Sequence, residues 1–437
     1  MTLPQPLTTA LNAATPYTPV GEVVQLIGVT IEVRNLSAHI GDMCIIERPG
    51  CSEGNLLAEV VGFRDKRILM MPFGEMTDLY PGARVKNTGK PFQVTDGDGL
   101  KGRILDGLGH PIDDRFPLAT GETRGLYDTP PHPLKRTAIT QQLCLGVRAL
   151  DAFTPVGYGQ RVGIFAGSGV GKSTTLGMIA RNTEADLSVI ALIGERGREV
   201  RDFIDHSLGE EGMKRSIVVV ATSDQPAIVK IKAGLVATTI AEYYRSQGNN
   251  VLLMMDSLTR VAMALREVGL AIGEPPTSRG YTPSMFAFMP KLLERSGTSD
   301  EGSITGLYTV LVESDDFNEP VADTVRGLLD GHVILSRALA EQNHFPAIDV
   351  LGSVSRLTTQ IASAEHQKAA ATVRDGLATY RKTEDLINIG AYVPGSNRKV
   401  DAAITMKDPW DAFLKQDIDE QAPLAQTLDA LQKLMPQ

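Results

Sequence analysis

Cysteine is scarce in this chain. Three residues, Cys44, Cys51 and Cys144, are spread over 437 positions, and none lies in a C-x-x-C pair. That excludes a disulfide framework. Each is expected as a small apolar side chain, and a reducing compartment fits. Early positive charge is missing too. The first Lys or Arg is Arg34, so no secretory signal with a basic n-region is expected. No apolar run approaches the roughly 18 residues that would span a bilayer. The chain is therefore read as cytosolic, with membrane contact only through partners. A basic excess is absent: 43 Lys and Arg face 52 Asp and Glu, for a net charge of −9. That argues against a general nucleic-acid binder. The seven histidines show no metal-ligand spacing. No internal repeat and no low-complexity tract is found.

What is present is the composition of a folded chain, 42% hydrophobic and 22% charged. Its length predicts two or three domains. Residues 1–20 are polar, hold four prolines and are expected as a flexible segment. From 21 to about 90, short β-type runs punctuated by Gly, Pro and Asp predict a small β-barrel or sandwich, and the segment is assigned as a β-barrel domain. A Gly/Pro/Asp-rich connector follows. From about 159 the pattern alternates apolar runs of strand length (161–165, 188–193, 216–221, 251–255, 307–312, 332–335) with helix-like stretches such as 227–245. That alternation predicts an α/β fold with a parallel sheet covered by helices. With its connector this domain is assigned to 91–355. After about 356 strand signals vanish. The stretch 361–380 and the recurrence of Leu424, Leu428, Leu431 and Leu434 predict a C-terminal helical domain over 356–437.

The chemistry concentrates in the α/β part. AGSGVGKS, residues 166–173, nearly matches the phosphate-binding pattern G-x-x-x-x-G-K-[ST], with Ala166 in place of the first Gly. A strand precedes it and a helix start follows, which places a helix N-terminus and successive backbone N–H groups around an anion. Gly167, Ser168, Gly169, Val170 and Gly171 form the cradle, with Thr174 beside it. Lys172 is expected to reach the β- and γ-phosphates, and the Ser173 hydroxyl to bind Mg²⁺. A glycine-rich turn that binds nothing is the plainer alternative. The apolar run 251–255 ends in Asp256, an arrangement in which the carboxylate also holds Mg²⁺. Glu195 directly follows the run 188–193, at the mouth of a parallel sheet, where it could orient an attacking water. A solvated Glu-Arg cluster on a helix start is the competing reading. Asp315, Asp316 and Asp323 read as a polar loop after a strand, and Trp410 as packing.

LGVRALD (145–151), the AGSGVGKS loop, GERGREV (194–200) and MMDSLTR (254–260) together resemble the catalytic subunits of rotary ATP synthases over nearly the whole chain. TSRGYTPS (277–284), PKLLER (290–295) and DLINIGAY (385–392) are more similar to the type III protein-export ATPases, and to their flagellar branch. The resemblance implies a RecA-like central domain that hydrolyses ATP with Mg²⁺ as a ring, a homo-hexamer with sites at subunit interfaces. It implies that Glu195 orients the water, that Arg196 lies near the γ-phosphate, that Phe345 stacks on adenine, and that Arg356 reaches into a neighbour's site. Phe345 alone would read equally well as a core aromatic. The resemblance further implies a stalk-like partner, a peripheral regulator, export substrates and chaperones. It implies a location at the inner-membrane export apparatus, with the membrane gate reached indirectly. Three alternatives stay open: a virulence secretion ATPase, a non-catalytic ring subunit, and an RNA-translocating hexamer.

Overall fold

A computed structural model describes residues 19–113, 115, 121–312, 316–317 and 319–435. Of the expected flexible segment 1–20, residues 1–18 lie outside the described residues, as does Asp315. The chain forms two compact units. One is drawn from Met1–Phe92 with Ala271–Gly273, the other from Gln93–Leu270 with Glu274–Gln437.

The first unit contains a closed barrel of six strands. They are β1 (Val20–Ile27), β2 (Thr30–Arg34), β3 (Asp42–Ile46), β4 (Leu56–Arg64), β5 (Arg67–Pro72) and β6 (Arg84–Pro91), ordered β1-β2-β5-β4-β3-β6. Alternate side chains such as Val23, Ile31, Val33, Cys44, Ile46, Val60 and Met70 fill its interior. Closure leaves no strand edge without a partner.

The second unit is built on a sheet of β7 (Ile104–Asp106), β8 (Arg161–Ala166), β9 (Leu187–Ile193), β10 (Ser216–Ala221), β11 (Asn250–Asp256), β12 (Ser303–Leu311), β13 (Gly331–Leu335) and β14 (Val354–Ser355). Their order is β14-β13-β8-β12-β11-β9-β10-β7, with Gly297–Thr298 paired onto β12 as a ninth strand. All neighbours on that path are parallel except β13 and β14. Every residue of β9 and β10 is buried, as expected of parallel strands covered on both faces. This is why they read as near-continuous apolar runs. Helices α1 (Arg148–Phe153), α2 (Lys172–Asn182), α3 (Gly197–Asp202), α4 (Ala227–Ser246), α5 (Leu258–Ile272) and α6 (Pro320–Leu328) connect or flank the strands.

Three further helices, α7 (Ala364–Asn388), α8 (Arg398–Leu414) and α9 (Leu424–Lys433), follow the sheet. They do not form a separate body. Val373, Trp410, Phe413 and Leu431 belong to the same core as Leu150, Phe153 and Ile164. Phe153 meets Phe413 edge to face at 6.2 Å. Arg374 of α7 donates to the Phe153 carbonyl at 2.7 Å. Trp410 is buried, and a Cβ on Gly376 would fall 2.2 Å from its ring, so α7 and α8 pack at glycine distance. No helix among the described residues is long and apolar enough to cross a membrane.

Candidate active site

Strand β8 ends at Ala166, buried and still paired with Leu311 of β12 and Leu335 of β13. Positive φ begins only at Gly169 (79°) and Gly171 (84°). The first position of the motif is therefore a strand position that alanine satisfies, and glycine is needed at the two later ones. Gly171 caps α2, and no side chain caps its first turn. The free N–H groups of that turn are available to an anion. Ser168, Gly169 and Ser173 are exposed, whereas Val170 is buried beneath the loop.

Lys172 leaves the start of α2 and lies between two carboxylates. Its Nζ donates to Glu195 Oε1 at 3.1 Å and to Asp256 Oδ1. Asp256 ends β11, and its Oδ1 also accepts the Thr309 hydroxyl of β12 at 2.7 Å. Glu195 follows β9. The carboxyl ends of β8, β12, β11 and β9 thus converge on one ammonium. Burial opposes the Lys172 charge, but Asp256 and Glu195 outweigh it and raise its pKa. Burial raises the Glu195 pKa, which Lys172 opposes and Asp256 reinforces. The cluster holds two negative groups against one positive. A phosphate that draws Lys172 away would leave Glu195 without its counter-charge.

The oxygens near the loop suit a hard cation. Magnesium takes one or two carboxylates with hydroxyl, water and phosphate oxygens, and Ser173 Oγ with Asp256 offers that set. Among the described residues, no group of three or more His, Cys, Asp or Glu converges to hold a metal ion, here or elsewhere.

A cavity of about 720 Å³ adjoins the loop, within the range of small-molecule sites. It is lined by Gly171, Thr174 and Thr175 together with Phe345, Arg148, Gln416 and Glu420. Phe345 is 41% exposed, so it is not a core aromatic. Its ring would stand 3.5 Å from a Cβ on Gly171. The Gln416 N–H donates to the Phe345 carbonyl at 3.0 Å. Gln416 itself is buried, accepting from Arg148 N and donating to the Gly146 carbonyl, both at 2.9 Å. Sequence reasoning missed Arg148 and Gln416 as parts of this wall. Arg148 lay within LGVRALD, but Gln416 carried no motif.

Two predicted residues stand apart from the cluster. Arg196 is exposed and pairs with Glu199 at 3.1 Å. Arg356 follows β14, and its N–H donates to the Asp330 carbonyl at 2.9 Å, beside the first residue of β8. It therefore lies at the opposite end of β8 from the loop, about 17 Å along the strand. Sequence reasoning also missed Thr309 and Arg260. A Cβ on Gly194 would fall 2.8 Å from the Arg260 side chain, whose Nε is buried without a partner. Arg260 closes MMDSLTR, which was the signal that could have found it.

Compared with known proteins, residues 146–355 match the nucleotide-binding domain of the ATP synthase alpha/beta family. Residues 23–89 match the beta-barrel domain of that family, and 362–433 the T3SS EscN ATPase C-terminal domain. The chain is 52% identical to a flagellum-specific ATP synthase of Bacillus subtilis (strain 168), over 98% of each chain. It is 48% identical to a type 3 secretion system ATPase of Xanthomonas euvesicatoria, over 94% of this chain and 93% of that one. Among solved structures, the assembled ATPase EscN of enteropathogenic E. coli superimposes with a TM-score of 0.90 at 44% identity. It covers 95% of this chain and 99% of its own. EscN in complex with its central stalk EscO gives 0.87 at the same identity and coverage.

Proposed function

Since the chain belongs to the family of flagellum-specific ATP synthases and type III secretion ATPases, we propose that it hydrolyses ATP over loop 167–171 to drive or prime flagellar protein export. The observation that carries this reading is Lys172 held between Glu195 and Asp256 where the parallel strands end.

In this reading the triphosphate lies against the first turn of α2, and Lys172 exchanges its carboxylate partners for β- and γ-phosphate oxygens. Glu195 then orients a water and takes its proton as the water oxygen attacks the γ-phosphorus and ADP leaves. Mg²⁺, held by Ser173 and Asp256, would neutralise charge on the phosphate oxygens. Phe345 offers an apolar face to the adenine. Arg196 moves from Glu199 toward the γ-phosphate. Arg356 cannot serve its own site from the far end of β8, so it completes the site of a neighbour in a ring, a homo-hexamer.

The family's type III branch supports export as the coupled process. The flagellar reading rests on the flagellar relative at 52% identity against 48% for the secretion relative. Leu386, Ile389 and Val393 form an exposed apolar patch where α7 ends, 49%, 74% and 68% exposed. That patch suits a stalk-like partner such as the one bound by EscN. A peripheral regulator, chaperones and export substrates complete the partner set. The chain would act on the cytoplasmic side of the inner-membrane export apparatus, reaching the membrane gate only through partners.

The test is Glu195→Gln, which keeps the size of the side chain and removes its base. ATP binding should persist and turnover fall by about two to four orders of magnitude. Undiminished turnover would refute the role of Glu195.

A further inference from the structure

Arg356 is exposed, yet its backbone has a deeply buried seat. The Gln160 side chain is completely buried, at the turn before β8. Its Nε2 donates to the Asp330 carbonyl and to the Ser355 hydroxyl, both at 3.1 Å. Its Oε1 accepts the Gly157 N–H at 2.8 Å. The Asp330 carbonyl is the same oxygen that accepts the Arg356 N–H. The Asp330 carboxylate in turn accepts from Arg161, from N at 3.1 Å and Nε at 3.2 Å. One primary amide thus joins the residue before Arg356, the acceptor of Arg356 and the start of the phosphate-loop strand.

The packing beside it leaves no slack. A Cβ on Gly331 would fall 2.7 Å from the Val354 carbonyl and 3.2 Å from the Ser355 Cα. Among the described residues, the guanidinium beyond this seat has one hydrogen bond, an exposed one at 3.2 Å to the Arg326 carbonyl. The base of the side chain is rigid and its tip is loosely held. That combination suits a group which must reach a target outside its own chain. Misplacing a charge-stabilising group by about 1 Å can cost about a hundredfold in rate.

We propose that Gln160 is a positioning residue for the neighbouring subunit's reaction, setting Arg356 through Ser355 and Asp330. The proposal rests on the reading of Arg356 as a trans-acting residue. It adds that β8 carries the loop of one site at its carboxyl end and the seat of the next site's arginine at its amino end.

The test uses rings of full-length chains, mixed in pairs, with steady-state ATPase as the readout. Gln160→Ala alone should lose about tenfold or more in kcat, while KM for ATP stays within about twofold, because its own pocket is untouched. Mixed with Lys172→Ala chains, which keep the seat, it should regain activity above the sum of the two. Mixed with Arg356→Ala chains it should not. The reverse pattern, rescue by Arg356→Ala and none by Lys172→Ala, places the lesion in the chain's own loop and overturns the proposal.

The mixture of Arg356→Ala with Lys172→Ala is the control. No rescue there sinks the trans reading and the proposal with it. Rescue there with the wrong Gln160 pattern sinks the proposal alone. Should Gln160→Ala fail to fold, Ser355→Ala, at a half-buried position, carries the same mixing test. It should lose about two- to fivefold with the same rescue pattern. Wild-type activity in that variant overturns the proposal.

Discussion

Glu195 is pulled in two directions, by burial toward its neutral form and by Lys172 toward its charged form, and burial prevails. A base acts only when ionised, so its activity appears as pH rises through its pKa. The acid limb of kcat/KM, which reports the free enzyme, should therefore lie above 4.5, the ordinary glutamate value. Glu195→Gln should abolish that limb along with most turnover. A limb that survives in the variant assigns it to another group. Phe345 makes a different kind of contribution. If Phe345 stacks on the adenine, Phe345→Ala removes an apolar face that meets substrate and transition state alike. KM for ATP should rise about tenfold with kcat changed less than about twofold. A kcat loss with unchanged KM would remove Phe345 from the base site. The two proposed roles draw on the sequence differently. Glu195 was marked by its place just after an apolar run. The role of Phe345 was proposed on resemblance alone, since nothing in its neighbours separates a base platform from a core ring. Gln160 was not legible. Its partners Asp330 and Ser355 lie 170 and 195 residues away, and only folding brings them together.

At the scale of elements, the strands were readable because parallel strands buried on both faces leave unbroken apolar runs. What the runs do not carry is the order of the strands. β8 and β11, which bear Lys172 and Asp256 at their ends, are separated by β12, and Thr309 enters the site from that intervening strand. Helix α1 holds another feature hidden in the sequence, a carboxylate that reaches back to the loop before it. Asp151 is fully buried, accepting from the Leu145 N–H at 2.9 Å and the Gly146 N–H at 2.8 Å. Burial nevertheless pushes its pKa up to about 7, from 3.8. The folded state then holds a proton that the unfolded state has released, so stability from this group falls as pH rises across that window. Denaturant melts of wild type and Asp151→Asn should show an advantage of wild type that shrinks from about pH 4 to pH 7. A difference independent of pH would mean that the carboxylate stays charged in the fold. Because Asp151 holds the loop that leads into Arg148 and the wall of the cavity, the same variants report whether the cavity depends on it.

At the scale of the molecule, the C-terminal helical domain expected after 356 is present, and its helices are not isolated from the sheet. They share a core with the sheet because Phe153, Arg374 and Gln416 cross the boundary with large buried contacts, which helical periodicity cannot reveal. Their end at Leu386, Ile389 and Val393 exposes apolar side chains. If Arg356 acts in trans, specific ATPase activity should rise with protein concentration and level off as rings assemble. Activity per chain that is constant from nanomolar to micromolar protein would confine catalysis to single subunits.

The polarity of β8 also restricts which assemblies can work. The loop sits at its carboxyl end and the seat of Arg356 at its amino end, so donor and acceptor occupy different surfaces of each chain. If Arg356 acts in trans through a head-to-tail pairing, the contact is heterologous, repeated in one rotational sense until it closes or runs on as an open helix. Every subunit of a closed ring then both gives an arginine and receives one, whereas the terminal chain of an open assembly keeps one site unfinished.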